Sequence, residues 1–154
     1  MNITGTTELT TTQKTGILQL WNNEFPEKLK HEALSDFDNY LKELSGQEHY
    51  LLLTETGEIK GWTFTFIREG EKWFALLLDK SIHGLGYGSR LLNRLKEKEE
   101  KLSGWVIDQE TNQKQNGDYY ISPLKFYLRN GFTVYPEIRL ENDKMSAVKI
   151  VWAR

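Results

Sequence analysis

The stretch L-L-L-D-K-S-I-H-G-L-G-Y-G-S-R-L-L, Leu76 to Leu92, decides the fold. It opens inside a continuous apolar run, Trp73 to Leu78, as expected for a central strand buried on both faces. Three alternating glycines follow, Gly84, Gly86 and Gly88, and then a helix directly. Its pattern runs from about Gly86 to Leu102, with Leu91, Leu92, Leu95 and Leu102 as the apolar stripe and Arg90, Arg94, Lys98 and Lys101 around it. Glycines at such a turn allow positive φ and let a ligand approach the backbone. The helix start offers unpaired N–H groups and a dipole that favours an anion. One such dipole interaction is worth roughly 0.3–1 kcal/mol when exposed and up to about 2 when partly buried. Several N–H groups together can therefore hold a diphosphate with few side-chain charges. A second reading stays open, in which the glycines only relieve clashes in a turn. Two other phosphate motifs are excluded. No Gly-Lys-Ser/Thr occurs, so there is no P-loop, and G-x-G-x-G is not the G-x-G-x-x-G of dinucleotide sites.

Outward from this turn the chain alternates short strands and helices. Asn2 to Thr7 reads as an edge strand, and a helical pattern carries Ile17, Leu18, Leu20 and Trp21 before Pro26. A second helix runs from near Ser35 to Leu44, closed by Ser45-Gly46. Tyr50–Thr54, Ile59–Ile67 and Trp73–Leu78 read as three successive strands. In the second of them Trp62, Phe64 and Phe66 alternate with Thr63 and Thr65. After the glycine helix come a strand at Trp105–Asp108, a polar loop over Glu110–Tyr120, and a helix opened by Ser122-Pro123 and stopped at Asn130-Gly131. Phe132–Leu140 and Met145–Trp152 are the last strands; they either pair across a dimer or lie within one subunit. The order β-α-α-β-β-β-α-β-α-β-β describes one mixed α/β domain over residues 1–154, built on a single sheet.

Composition narrows the function. The 154 residues carry 20 Lys plus Arg against 22 Asp plus Glu, a net charge of −2, without the basic excess of a nucleic-acid binder. With no Cys, a thiolate nucleophile, a disulfide framework and a Cys-ligated metal are excluded, and His31, His49 and His83 are too scattered for a His-based metal site. No apolar run approaches the roughly 20 residues of a membrane span, and the N-terminus lacks the form of a secretory signal. The expectation is a cytoplasmic protein with no membrane and no nucleic-acid partner.

A second stretch, S-P-L-K-F-Y-L-R-N-G-F (Ser122 to Phe132), completes the pattern. Together with H-G-L-G-Y-G it resembles the GNAT superfamily of acyl-CoA-dependent N-acetyltransferases. That family carries R/Q-x-x-G-x-G/A after its fourth strand, where His83, Gly86 and Gly88 stand here, and F-Y-x-x-x-G-F after its fifth, matched by Phe126, Tyr127, Gly131 and Phe132. The motifs cover Leu76 to Phe132, and the element order agrees along the whole chain. The resemblance implies a mainly antiparallel mixed sheet with helices on both faces. It implies acetyl-CoA as co-substrate, no metal, and a small-molecule or peptide amine as acceptor. The main chain at Leu76 and Leu78 would pair with the pantetheine arm. The amides of Gly84, Leu85, Gly86, Tyr87, Gly88 and Ser89 would bind the diphosphate, with His83 beside them in place of the usual Arg or Gln. The sheet would splay between Leu76–Leu78 and Trp105–Asp108, and Tyr127 would protonate the departing thiolate.

The chemistry agrees with that implication. An amine with a lysine-like pKa near 10.4 costs roughly 4.6 kcal/mol to neutralise at pH 7, so a base or a water chain must take its proton. Asp79, Asp108 and Glu110 lie at or beyond the strand ends, and Asp108 is the expected base. Tyr119 and Tyr120, in a long polar loop, either touch the acceptor or pack the loop. The expected activity is direct acetyl transfer to an amine in a ternary complex; the alternative is a non-catalytic acyl-CoA-binding module, and a homodimer is possible.

Overall fold

The computed structural model describes residues 1–154. Seven strands form one sheet: β1 (Asn2–Thr6), β2 (Ser45–Leu53), β3 (Ile59–Arg68), β4 (Glu71–Leu78), β5 (Lys101–Ile107), β6 (Thr133–Glu141) and β7 (Ser146–Ala153). Four helices join them: α1 (Thr11–Glu24), α2 (Leu34–Lys42), α3 (Tyr87–Lys98) and α4 (Leu124–Arg129). The sheet order is β1-β2-β3-β4-β5-β7-β6. All neighbours are antiparallel except β4 and β5, which run parallel and meet at a single register pair, Trp73↔Ser103. The final strands lie within one chain, with β7 inserted between β5 and β6.

Each face of the sheet buries its own core. Trp62, Phe64, Phe66, Trp73 and Leu77 pack under Ile17, Leu20 and Trp21 of α1 and Phe37 and Leu41 of α2. On the other face Phe74, Leu102, Val106 and Ile150 pack against Leu91, Leu92 and Leu95 of α3 and Tyr127 of α4. This is the period-two division of one strand between two layers. The capping of α1 is complete: Thr10 Oγ1 accepts the Gln13 N–H, and the Gln13 side chain accepts the Thr10 N–H.

Three features depart most from the sequence reading. The glycine helix ends at Lys98, and Leu102 belongs to β5, where it is fully buried. Leu102 follows Leu95 by seven residues, a spacing that suits two helical turns and equally a strand after a break. Glu99, extended at φ −108° and ψ 147°, makes that break. β2 begins at Ser45, five residues early, because Gly46 at φ +64° turns the chain straight from α2 into a bulged strand. Along β4, Ala75, Leu76 and Leu78 are only half-buried rather than enclosed on both faces. The reason is the parting of β4 from β5.

Candidate active site

The opening between β4 and β5 positions every element of the site. Because N–H direction alternates along a strand, the bond from Asp79 N–H to Lys60 O (2.8 Å) fixes which groups of β4 face β3. Leu77 and Ala75 face β3, so the main-chain groups of Leu76 and Leu78 face the side where β5 has departed. At the end of this free edge the chain turns through Gly84 and Gly86, at φ +77° and +87°, and a side chain at either position would meet nothing within 4 Å. Gly86 is the cap of α3 and supplies no side-chain acceptor. The amides of Gly84, Leu85, Gly86, Tyr87, Gly88 and Ser89 consequently have no acceptor within the protein. Six consecutive amides without acceptors in the protein thus run into the N-terminus of α3, where the helix dipole favours an anion. Arg90 is the nearby cation, its guanidinium 5.3 Å from the Tyr87 ring.

Gly88 has a different task. A Cβ there would lie 2.9 Å from Cζ of Phe126, so its absence lets α4 lie against the start of α3. The two sequence motifs thus touch each other. His83 does not extend outward. Its Nε2 sits 2.7 Å from the Leu78 carbonyl oxygen. A carbonyl only accepts, so Nε2 carries the hydrogen. The imidazole ties the turn to the open edge of β4, a role that spacing alone did not reveal.

Tyr127 lies beneath the opening, 5% exposed, its ring against Phe74, Phe126 and Phe132. Its hydroxyl makes no hydrogen bond within the protein. Burial, reinforced by the neighbouring Tyr120, pushes the phenol well above its ordinary pKa, so it stays protonated across the neutral range. Tyr120 packs instead with Ile107 and Ala147, and burial raises its phenol as well. Of the two loop tyrosines, Tyr120 is buried and Tyr119 is exposed.

Asp108, the expected base, is gripped by Arg139 of β6 through two parallel bonds of 2.9 Å, and Gln109 donates to it as well. These bonds, Arg139 foremost, hold its carboxyl below the usual range against the opposing effect of partial burial. That geometry makes Asp108 a clamp on the end of β5 and a weak proton acceptor. The other acids at the opening are engaged too. Burial pushes the Asp79 carboxyl up, but bonds from Ser81 Oγ–H and N–H, with Lys60 nearby, bring it below its ordinary value. Glu110 accepts the Ser122 N–H. Glu24, at the end of α1, accepts the Lys80 N–H and pairs with the buried Lys114 at 3.4 Å.

No group of three or more His, Cys, Asp or Glu residues converges, and no helix is long and apolar enough to cross a membrane. No curated protein matches the sequence significantly. Solved structures do. The chain is similar to an aminoglycoside 6'-acetyltransferase type Ii (14% identity, 99% of this chain and 97% of that one, TM-score 0.73). It is similar to a GNAT-family acetyltransferase from Staphylococcus aureus Mu50 (18%, 99% and 99%, 0.70). It is also similar to the ribosomal-protein-S18-alanine N-acetyltransferase from Escherichia coli (15%, 99% and 94%, 0.62). At such identities these likenesses show the fold alone. The model of the acetyltransferase (GNAT) domain family matches residues 46–134, more than half of the sequence, and the chain belongs to the GNAT acetyltransferases.

Proposed function

We propose that residues 1–154 work as one acetyltransferase domain that moves an acetyl group from acetyl-CoA to an amine by direct attack in a ternary complex. The observation that carries this is the run of six unpaired amides, Gly84 to Ser89, continuous with the free edge of β4. The amides bind the diphosphate, and the dipole of α3 adds to them. The main-chain groups of Leu76 and the N–H of Leu78, whose carbonyl His83 holds, pair with the pantetheine arm as an added strand would. The arm is thereby directed between β4 and β5, above Tyr127.

The acyl carbon is attacked by a neutral amine, the carbon–sulfur bond breaks, and the sulfur leaves as a thiolate. Tyr127 gives that sulfur its proton, and its phenolate, favouring protonation through burial, regains one from the water that took the proton of the acceptor nitrogen. A thiolate with a pKa near 8.5 is a moderate leaving group, so one protonated phenol suffices, and no covalent enzyme intermediate is required in a chain without Cys. His83 keeps the carbonyl of Leu78 engaged, which orients the edge that receives the arm. The acceptor loses its proton to water, since the acids at the opening are bound to partners.

Calorimetric titration with acetyl-CoA, desulfo-CoA and ATP tests the reading. Micromolar binding of both CoA compounds with no response to ATP is expected. Binding of ATP without CoA would make the glycine turn a site for another phosphorylated ligand. Acetyl-CoA binding without thiol release on any amine would favour the acyl-CoA-binding module.

A further inference from the structure

On the face covered by α1 and α2, the line along which β4 and β5 part has an aromatic floor. The rings of Trp73 and Trp105 lie 5.2 Å apart across it. Beyond β4 that face carries Trp105, Lys149 and Tyr135, none of them fully buried, and Lys149 is paired in register with Tyr135. Two cations already lie on the floor. The Arg68 guanidinium sits 5.3 Å from the Trp73 ring and 5.0 Å from Phe66. Lys149 Nζ sits 5.3 Å from the same Trp73 ring. Arg68 has no acidic partner, and Lys149 shares Glu71 with Lys101, at 3.5 and 3.4 Å. Three cations therefore face one carboxylate. A positively charged acceptor would meet repulsion here, and a negatively charged group would find a guanidinium free to pair with it.

A second observation limits the amine itself. Asp79, Asp108, Glu110 and Glu24 are all committed to donors. His31 and His49 lie against aromatic rings, His31 beside Trp21 and Tyr40, His49 stacked with Phe64 and near Trp62. With every carboxylate at the opening already accepting hydrogen bonds, an acceptor that arrives neutral is favoured. An α-amino group, with a pKa of about 7.7–8.0, is neutral in roughly one molecule in ten at pH 7; a lysine-like amine is neutral in about one in 2,500.

We propose that this groove takes the α-amino terminus of an acidic peptide, with Arg68 and Lys149 holding a side-chain carboxylate while the amine reaches the opening. The spacing favours a peptide over a free amino acid. The opening lies two to three residues beyond Trp73 along the strands, roughly 7–10 Å at the rise of a β-strand. That is the reach of a carboxylate on the next residue, and too far for a carboxylate on the carbon that bears the amine.

The inference rests on the acetyltransferase reading, and its test separates the two. The full chain, with saturating acetyl-CoA, is given the tripeptide alanyl-glutamyl-glutamate, its neutral counterpart alanyl-glutaminyl-glutamine amide, or spermidine, and thiol release is followed. The expected result is a KM at least tenfold lower for the acidic tripeptide than for the neutral one, rising with salt, and poor use of spermidine. Arg68→Gln and Lys149→Gln should each raise the KM of the acidic tripeptide five- to tenfold, leaving its kcat and the KM of acetyl-CoA within twofold. Equal use of the two tripeptides, preference for spermidine, or acetyl-CoA binding with no turnover of either tripeptide would overturn the acceptor assignment alone. Absence of acetyl-CoA binding in calorimetry would remove the acetyltransferase reading, and this one with it.

Discussion

Tyr127 and Asp108 entered the sequence reading as a pair, acid and base, and their surroundings separate them. Tyr127 sits among Phe74, Phe126 and Phe132, so its proton is retained. Asp108 sits under Arg139, so its charge is retained. Tyr127→Phe is expected to lower kcat roughly 10²-fold with the KM of acetyl-CoA within twofold. An acid is lost as pH rises through its folded pKa. For Tyr127 that lies above the ordinary 10, so steady-state kcat should show no phenol-linked decline up to pH 10. His49 makes a second prediction. It accepts the Trp62 Nε1–H on Nδ1 at 3.1 Å and donates from Nε2 to Gln47. Burial lowers its pKa from 6.5 to about 4, with Lys14 adding to the effect. The unfolded chain takes up a proton at this position before the native chain does. Stability is therefore present above pH 6.5, falls below it, and is fully lost by about pH 4, about 3 kcal/mol in all. Urea titrations across that range should show this slope in the wild type and its absence in His49→Leu.

At the scale of elements, the turn from β4 into α3 uses glycines for two separate reasons. Gly86 needs φ +87° with open space around it, so Gly86→Ala carries a conformational cost of roughly 1–2 kcal/mol. Gly88 has ordinary φ but no room, since Phe126 lies 2.9 Å from where a Cβ would stand. Gly88→Ala should cost about 1–3 kcal/mol by displacing α4, and Tyr127 with it. Thermal melts would show both losses. Single-turnover assays would separate them: Gly86→Ala weakens acetyl-CoA binding, whereas Gly88→Ala also slows the chemical step. On the opposite strand, Phe74 fills the space over Gly104, where a Cβ would approach to 2.8 Å. The line between β4 and β5 is thus closed by Phe74 on one face and by the two tryptophans on the other, just where the strands still meet.

Across the whole molecule, the long loop after β5 joins parts remote in sequence. Lys114, 9% exposed, reaches Glu24 at the end of α1, Gln115 donates to Asn23, and the Glu27 N–H bonds to Gln113 O. Phe25, Leu29 and Met145 pack around Ile107 and Tyr120, drawing the segment after α1 and the β6–β7 turn over the end of β5. Lys114→Met would leave the partly buried Glu24 with the Lys80 N–H as its remaining partner, a loss of about 1–3 kcal/mol. Limited proteolysis should then cut within residues 109–121 at protease levels that leave the wild type intact.

Local pattern alone determined the order of elements, the alternation of β3, the stop of α4 at Gly131 and the anion-ready turn from Gly84 to Ser89. These features rest on backbone geometry and period, which a short window contains. Leu102 escaped because a seven-residue spacing serves helix and strand alike until a break is placed. The partners of Asp108, Gly88 and Glu24 escaped for a different reason. Arg139 stands 31 residues from Asp108 and Lys114 stands 90 from Glu24, and no period links them. Only the tertiary structure decides which charges meet, because β7 is inserted between β5 and β6 and the loop after β5 folds back onto α1. That pairing turns a suitably placed carboxylate into a clamp, leaves Tyr127 as the proton donor we propose, and sets Arg68, without an acidic partner, beside the tryptophan floor.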